Sequence, residues 1–193
     1  WTAPEVLRPA YRESLLMRRT LPLLGIGLTL VMGVLYGMLW LLRGSERSYG
    51  WFSLFSLLWV LYSLNYVALG TWPFSSTEAF QRANHVALVA SIVCFFMFAL
   101  HFCEMARPRV LRATLLVGAA ALAALIALPS RLLEPVRDIT VLAALLCYFA
   151  SCAIIVRHAW VSRRLEVGVL AACLMLPVAA GAHDTLIFLE WLP

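Results

Sequence analysis

His183 and Asp184 stand side by side in an apolar stretch near the end of a 193-residue chain. Asn65 and His85 sit at the edges of two other apolar stretches. An imidazole next to a carboxylate can hold a ligand, pass a proton or bind a metal ion. Metal fits poorly here. Neighbouring residues on a helix point about 100° apart, so His183 and Asp184 do not easily ligate one ion together. The chain has no HExxH and no two histidines four residues apart. A haem would need paired axial ligands at matching depth, which only His85 and His183 could supply. No metal and no cofactor are therefore expected. His101, Glu104 and Arg107 follow one another at three-residue spacing, and the first two would share a helical face. They read as charges at a membrane interface on the cytoplasmic side. No nucleophile elbow, phosphate loop or pair of catalytic carboxylates occurs, so no enzyme site is expected within these residues.

The elements that must position these groups are membrane helices. Hydrophobic residues make up 63% of the chain and charged residues 13%, with a mean hydropathy of +0.89. A soluble domain is nearer a quarter charged. Apolar runs long enough to cross a bilayer fall at about 21–42, 51–72, 85–102, 110–128, 139–156 and 167–189. The expected fold is an all-α polytopic transmembrane bundle, residues 21–193, with six spans present of an expected seven. Residues 1–20 form a juxtamembrane segment whose Leu7, Tyr11 and Leu15 could line an amphipathic helix. Gly33 and Gly37 make a GxxxG in span 1, a spacing that lets a second helix approach closely. Pro177 should kink span 6. The chain starts at Trp1 and shows no signal-peptide pattern. It is expected to be the middle of a longer polypeptide.

All 15 basic residues are arginine. With no lysine, a Schiff-base chemistry such as retinal binding is excluded. The arginines lie in short clusters between apolar runs, not on a basic face with interleaved aromatics, so nucleic acid is not expected as a partner. If spans alternate sides, Arg43, Arg47, Arg107, Arg109, Arg112, Arg157, Arg163 and Arg164 share one side. Arg82, Arg131 and Arg137 share the other. Eight against three puts the first side in the cytoplasm and the N-terminus in the periplasm. The four arginines before Thr20 would narrow this to eight against seven, unless they follow an exported domain, whose charge counts for little. The five cysteines lie within or beside apolar runs, contain no CxxC, and read as small buried hydrophobes.

Several local features also carry a family resemblance. They are the glycine-rich entry to span 1, the link Arg43 to Tyr49 (RGSERSY), and the aromatic span 2 with Ser63-Leu64-Asn65. The exit Trp72-Pro73 and the run Gly181-Ala182-His183-Asp184 complete them. Together these resemble the membrane domain of the bacterial 7TM receptors with diverse intracellular signalling modules. The resemblance implies a sensory domain in the bacterial inner membrane, with the N-terminus outside. It further implies an extracytoplasmic sensor domain before the bundle and a histidine kinase or diguanylate cyclase after it, in the same chain. The bilayer is then the immediate partner, and a homodimer is a further one to test. Asn65, His85, His183 and Asp184 would lie toward the outer side, where they could form a ligand or coupling site. The competing structural reading is a hydrogen-bonded cluster that fixes helix packing. A small-solute transporter or channel subunit is the alternative function. It would favour inverted repeats and matched broken helices, and only Pro177 interrupts a span centrally.

Overall fold

The structure, a computed structural model, describes residues 20–44, 46–67, 73–127, 130–163, 165 and 167–173. Among these residues every regular element is helical. In chain order they are α1 (Leu21–Arg43), α2 (Arg47–Ser63) with a 3-10 turn Leu64–Tyr66, α3 (Thr77–Phe102), α4 (Pro108–Ala127) and α5 (Ser130–Ser162). A sixth helical stretch is described over 167–173. By length and composition α1, α3, α4 and the Pro135–Ser162 part of α5 can each cross a membrane. The 17 residues of α2 and its 3-10 extension together span ~31 Å at the usual rises, close to a hydrocarbon core.

Helix boundaries follow local chemistry more closely than the apolar runs suggest. Residues 73–84 read as a polar loop, yet α3 begins at Thr77. The Ser76 side chain accepts a hydrogen bond from the Ala79 amide at 3.1 Å, and Glu78 places a negative charge in the first turn. α4 starts with Pro108, whose missing N–H costs nothing at a first helical position. The helix closes its first turn through Leu111 N–H to the Arg107 carbonyl at 3.0 Å. α5 begins upstream of the apolar run and carries Pro135 inside it.

Three helices run toward the same end of the bundle, and each stops at a residue in the left-handed region. These are Gly44 (φ 49) after α1, Glu104 (φ 57) after α3 and Arg163 (φ 51) after α5. The end of α3 is a Schellman motif. Met105 N–H donates to the Leu100 carbonyl at 2.8 Å and Glu104 N–H to the His101 carbonyl at 3.2 Å. A glutamate holds the position that glycine usually takes.

α3 is the central helix. Half of its most apolar stretch is buried, against 6% for α1 and 11% for α4. It packs against α2, α4 and α5. The apolar side chains that α1 leaves exposed, such as Leu24, Leu28, Leu41 and Leu42, suit contact with lipid.

α2 has two faces. One carries small residues, Gly50, Ser53, Ser56 and Ser63, all buried. Gly33 and Gly37 of α1 seat against this face. A Cβ on Gly33 would lie 3.0 Å from the Ser56 Cβ, and one on Gly37 would lie 2.8 Å from the Ser53 Oγ. Ser53 Oγ donates to the Gly33 carbonyl at 2.7 Å. The GxxxG is thus a helix–helix seam closed by an interhelical hydrogen bond. The other face carries aromatics. Phe52 meets Phe98 with centroids 5.3 Å apart, and Phe55 meets Phe95 at 4.9 Å. Phe95 continues to Tyr148 of α5 at 5.5 Å, and Phe52 reaches back to Tyr36 of α1 at 4.6 Å. A continuous run of rings therefore links α1, α2, α3 and α5 through offset and tilted contacts, the geometries aromatic pairs prefer.

Candidate functional site

Polar groups collect at the two ends of the bundle. At the end where α3 begins, His85 is half-buried on α3 and its Nδ1 pairs with the Gln81 carbonyl at 2.7 Å. His85 shares a small recess with Arg82, Leu125 and Arg137. Asn65 lies in the 3-10 turn after α2 and is exposed. No hydrogen bond joins it to His85 among the described residues. His183 and Asp184 lie outside the described residues. The four candidates for a ligand or coupling site are therefore placed only at Asn65 and His85, and those two are not brought together.

Arg82 is the residue at this end that sequence reasoning passed over. One of its terminal nitrogens, Nη1, donates to the carbonyls of Leu125 at 3.3 Å and Ile126 at 2.9 Å. The other, Nη2, contacts Glu78 Oε1 at 3.0 Å. A guanidinium at the C-terminal carbonyls of α4 satisfies orphan acceptors and faces the negative end of the helix dipole. Arg82 thereby ties the start of α3 to the end of α4. The signal was present as Glu78 and Arg82 at i, i+4 within the first turns of a capped helix.

At the opposite end, His101 is half-buried one residue before the end of α3. Its Nδ1 pairs with the Met97 carbonyl at 2.8 Å, and its ring lies 6.4 Å from Trp51. The expectation that Glu104 shares the face of His101 is corrected by the fold. α3 ends at Phe102, so Glu104 sits in the left-handed turn beyond it and not on the helix. Glu104 and Arg107 are both exposed, and no ion pair joins them to His101 or to each other among the described residues.

The two ends differ in how their arginines are used. Where α3 begins, Arg82 pairs with Glu78 and Arg137 with Asp138, each at 3.0 Å. At the other end Arg43, Arg47, Arg107, Arg109, Arg112, Arg157 and Arg163 are all exposed. None of them forms an ion pair among the described residues. One end presents free positive charge, and at the other Arg82 and Arg137 are locally balanced.

Among the described residues, larger cavities also lie between helices. An apolar one of about 330 Å³ opens between α3, α4 and α5 at mid-depth, lined among others by Val93, Gly118, Thr140 and Ala144. It exists because α4 and α5 touch little along their length. α4 approaches α3 closely at Gly118, where a Cβ would lie 2.9 Å from a Val93 methyl. The second cavity, about 450 Å³, sits at the arginine-rich end among α1 to α4 and includes Arg47 and His101. No group of three or more potential metal ligands occurs among the described residues.

A comparison with protein families matches residues 18–193 to a family described as 7TM diverse intracellular signalling. The match covers every described helix. Comparisons with curated proteins and with solved structures find no match.

Proposed function

The chain belongs to the 7TM diverse intracellular signalling family, a multi-pass membrane domain of signalling receptors, and on that premise we propose that it relays an extracytoplasmic signal to a cytoplasmic output module of the same polypeptide. The family match over residues 18–193 carries this reading. The output module would be a histidine kinase or diguanylate cyclase, the membrane the bacterial inner membrane, and this stretch itself non-catalytic. The seven unpaired arginines support a cytoplasmic location for their end of the bundle, which puts the N-terminal side in the periplasm. Asn65, His85, His183 and Asp184 stay as the proposed outer ligand or coupling site. His101 and Arg107 stay as proposed cytoplasmic interface groups, with Glu104 contributing from the turn.

A bundle passes a message by shifting, tilting or rotating helices against one another. The packing suggests which helices stay fixed. α1, α2, α3 and α5 are joined by the Gly33–Ser53 seam and by the aromatic run. α4 faces α5 across a cavity, touches it little and has room to move against the other helices. A ligand can bias such a pair only through its different affinity for the two arrangements. Gly118→Leu, which would press on Val93, should therefore shift output of the full-length receptor between its on and off levels without loss of membrane insertion. Ligand-independent solute flux through proteoliposomes, with output unaffected by Gly118→Leu, would instead favour a transporter or channel.

A further inference from the structure

The cavity at the arginine-rich end has the chemistry of an amphiphile site. It is lined at its rim by Arg47, the first residue of α2, and by His101 near the end of α3. Trp40 and Trp51 form its sides, and Met97 and Leu115 lie deeper. The volume is about 450 Å³. The charged and polar groups stand within about a turn of the helix ends. Leu54, also in the lining, lies seven residues further into α2, ~10 Å along its axis. Polarity therefore falls with depth, as it does along a lipid molecule.

Two features show unused binding capacity. Arg47 has no ion pair or side-chain hydrogen bond among the described residues. The Nδ1 of His101 is taken by the Met97 carbonyl, which leaves Nε2 without a partner among them. The two acidic side chains nearest in sequence, Glu46 and Glu104, are exposed and outside the lining. The cavity also opens sideways. Trp40 is 43% and Leu115 44% exposed, so a molecule can enter from the bilayer. Tryptophans at this depth are at home among headgroups.

We propose that this cavity binds one anionic phospholipid from the leaflet at the arginine-rich end. The phosphate lies at Arg47 and His101, and the upper part of an acyl chain lies over Met97, Leu54 and Leu115. Basic recesses between transmembrane helices favour such headgroups because the attraction acts close to the low-dielectric membrane. A free anion would use the rim but gain nothing from the apolar interior. A zwitterionic lipid would fill the interior but carries a compensating positive charge. This site is separate from the relay and does not depend on it.

The test uses the full-length polypeptide in detergent, with native mass spectrometry. Dioleoylphosphatidylglycerol, dioleoylphosphatidylcholine and inorganic phosphate are the probes. One phosphatidylglycerol should be retained per chain in clear preference to phosphatidylcholine, and millimolar phosphate should not displace it. Arg47→Gln should weaken retention of phosphatidylglycerol about fivefold and leave phosphatidylcholine unchanged. Leu115→Trp, which fills the interior and leaves the charge alone, should block both lipids and serves if Arg47→Gln does not fold. Equal retention of the two lipids would overturn the proposal, as would displacement by phosphate, which would mark a small-anion site. Retention unaffected by Leu115→Trp would also overturn it.

Discussion

Ser53 of α2 gives its hydroxyl hydrogen to the carbonyl of Gly33 in α1 across 2.7 Å. That contact is possible only because Gly33 and Gly37 have no side chains. Interhelical hydrogen bonds of this kind contribute about 0.6 to 2 kcal/mol in membranes. Ser53→Ala should therefore lower the unfolding free energy by about 1 kcal/mol. Gly33→Leu should do much more, since even its Cβ would press on Ser56. Equilibrium unfolding in mixed micelles would measure both. A Gly33→Leu variant as stable as Ser53→Ala would show that α1 and α2 do not meet along this seam.

Arg82 holds the last carbonyls of α4 from its place on α3. Arg82→Gln should cost about 1 to 2 kcal/mol, because the helix end loses both its cap and its favourable charge. Glu78→Gln should cost only about 0.3 to 0.5 kcal/mol, as expected for an exposed i, i+4 pair. Amide hydrogen exchange in the last turn of α4 should quicken in Arg82→Gln and stay nearly unchanged in Glu78→Gln. Equal protection in both variants would remove the cap from the account.

Glu104 occupies a left-handed turn that glycine adopts without penalty. Glu104→Gly should be neutral or stabilise the protein by up to about 1 kcal/mol. Glu104→Val should destabilise it, since a β-branched residue tolerates that conformation worst. Thermal unfolding of the two variants should place the wild type between them. A destabilising Glu104→Gly would mean that the carboxylate has a binding role its exposure does not reveal.

Which of these features could be read beforehand depended on whether a neighbour was needed to see them. The apolar runs mark the membrane helices, because a bilayer demands long uninterrupted hydrophobic segments. The GxxxG was visible as a possibility, but its partner face, Ser53 and Ser56, is a property of another helix. The aromatic spacing at Phe52, Phe55, Phe95 and Phe98 was equally open to lipid or to core. The early start of α3 was legible from Ser76, Glu78 and Arg82, yet its polar residues read as loop. The end of α3 was not legible: nothing local requires Glu104 to turn left-handed, and the burial of Cys103 in the core beside it is a tertiary fact. His85 was recognised as a polar group of the outer side and His101 as an interfacial charge of the cytoplasmic side. Each instead takes up a carbonyl one turn back in its own helix, a local contact that leaves the other ring nitrogen for function.

Orientation can be tested at the two ends. In a cysteine-free background, an impermeant maleimide added from the periplasmic side should label Ser76→Cys and spare Arg109→Cys, both exposed positions. The reverse pattern would invert the bundle and move the arginine-rich end outside.

The proposed relay passes across the gap between α4 and α5 while α1 and α2 stay locked. Spin-label distances in the full-length receptor, compared between active and inactive output states, test it most directly. Val110 of α4 and Val161 of α5 are exposed near the arginine-rich ends of the two helices, while Leu28 and Leu61 are exposed on α1 and α2. The Val110–Val161 distance should change with output, and the Leu28–Leu61 distance should stay constant. An unchanged Val110–Val161 distance while output switches would contradict the account, and so would an equal change in both pairs.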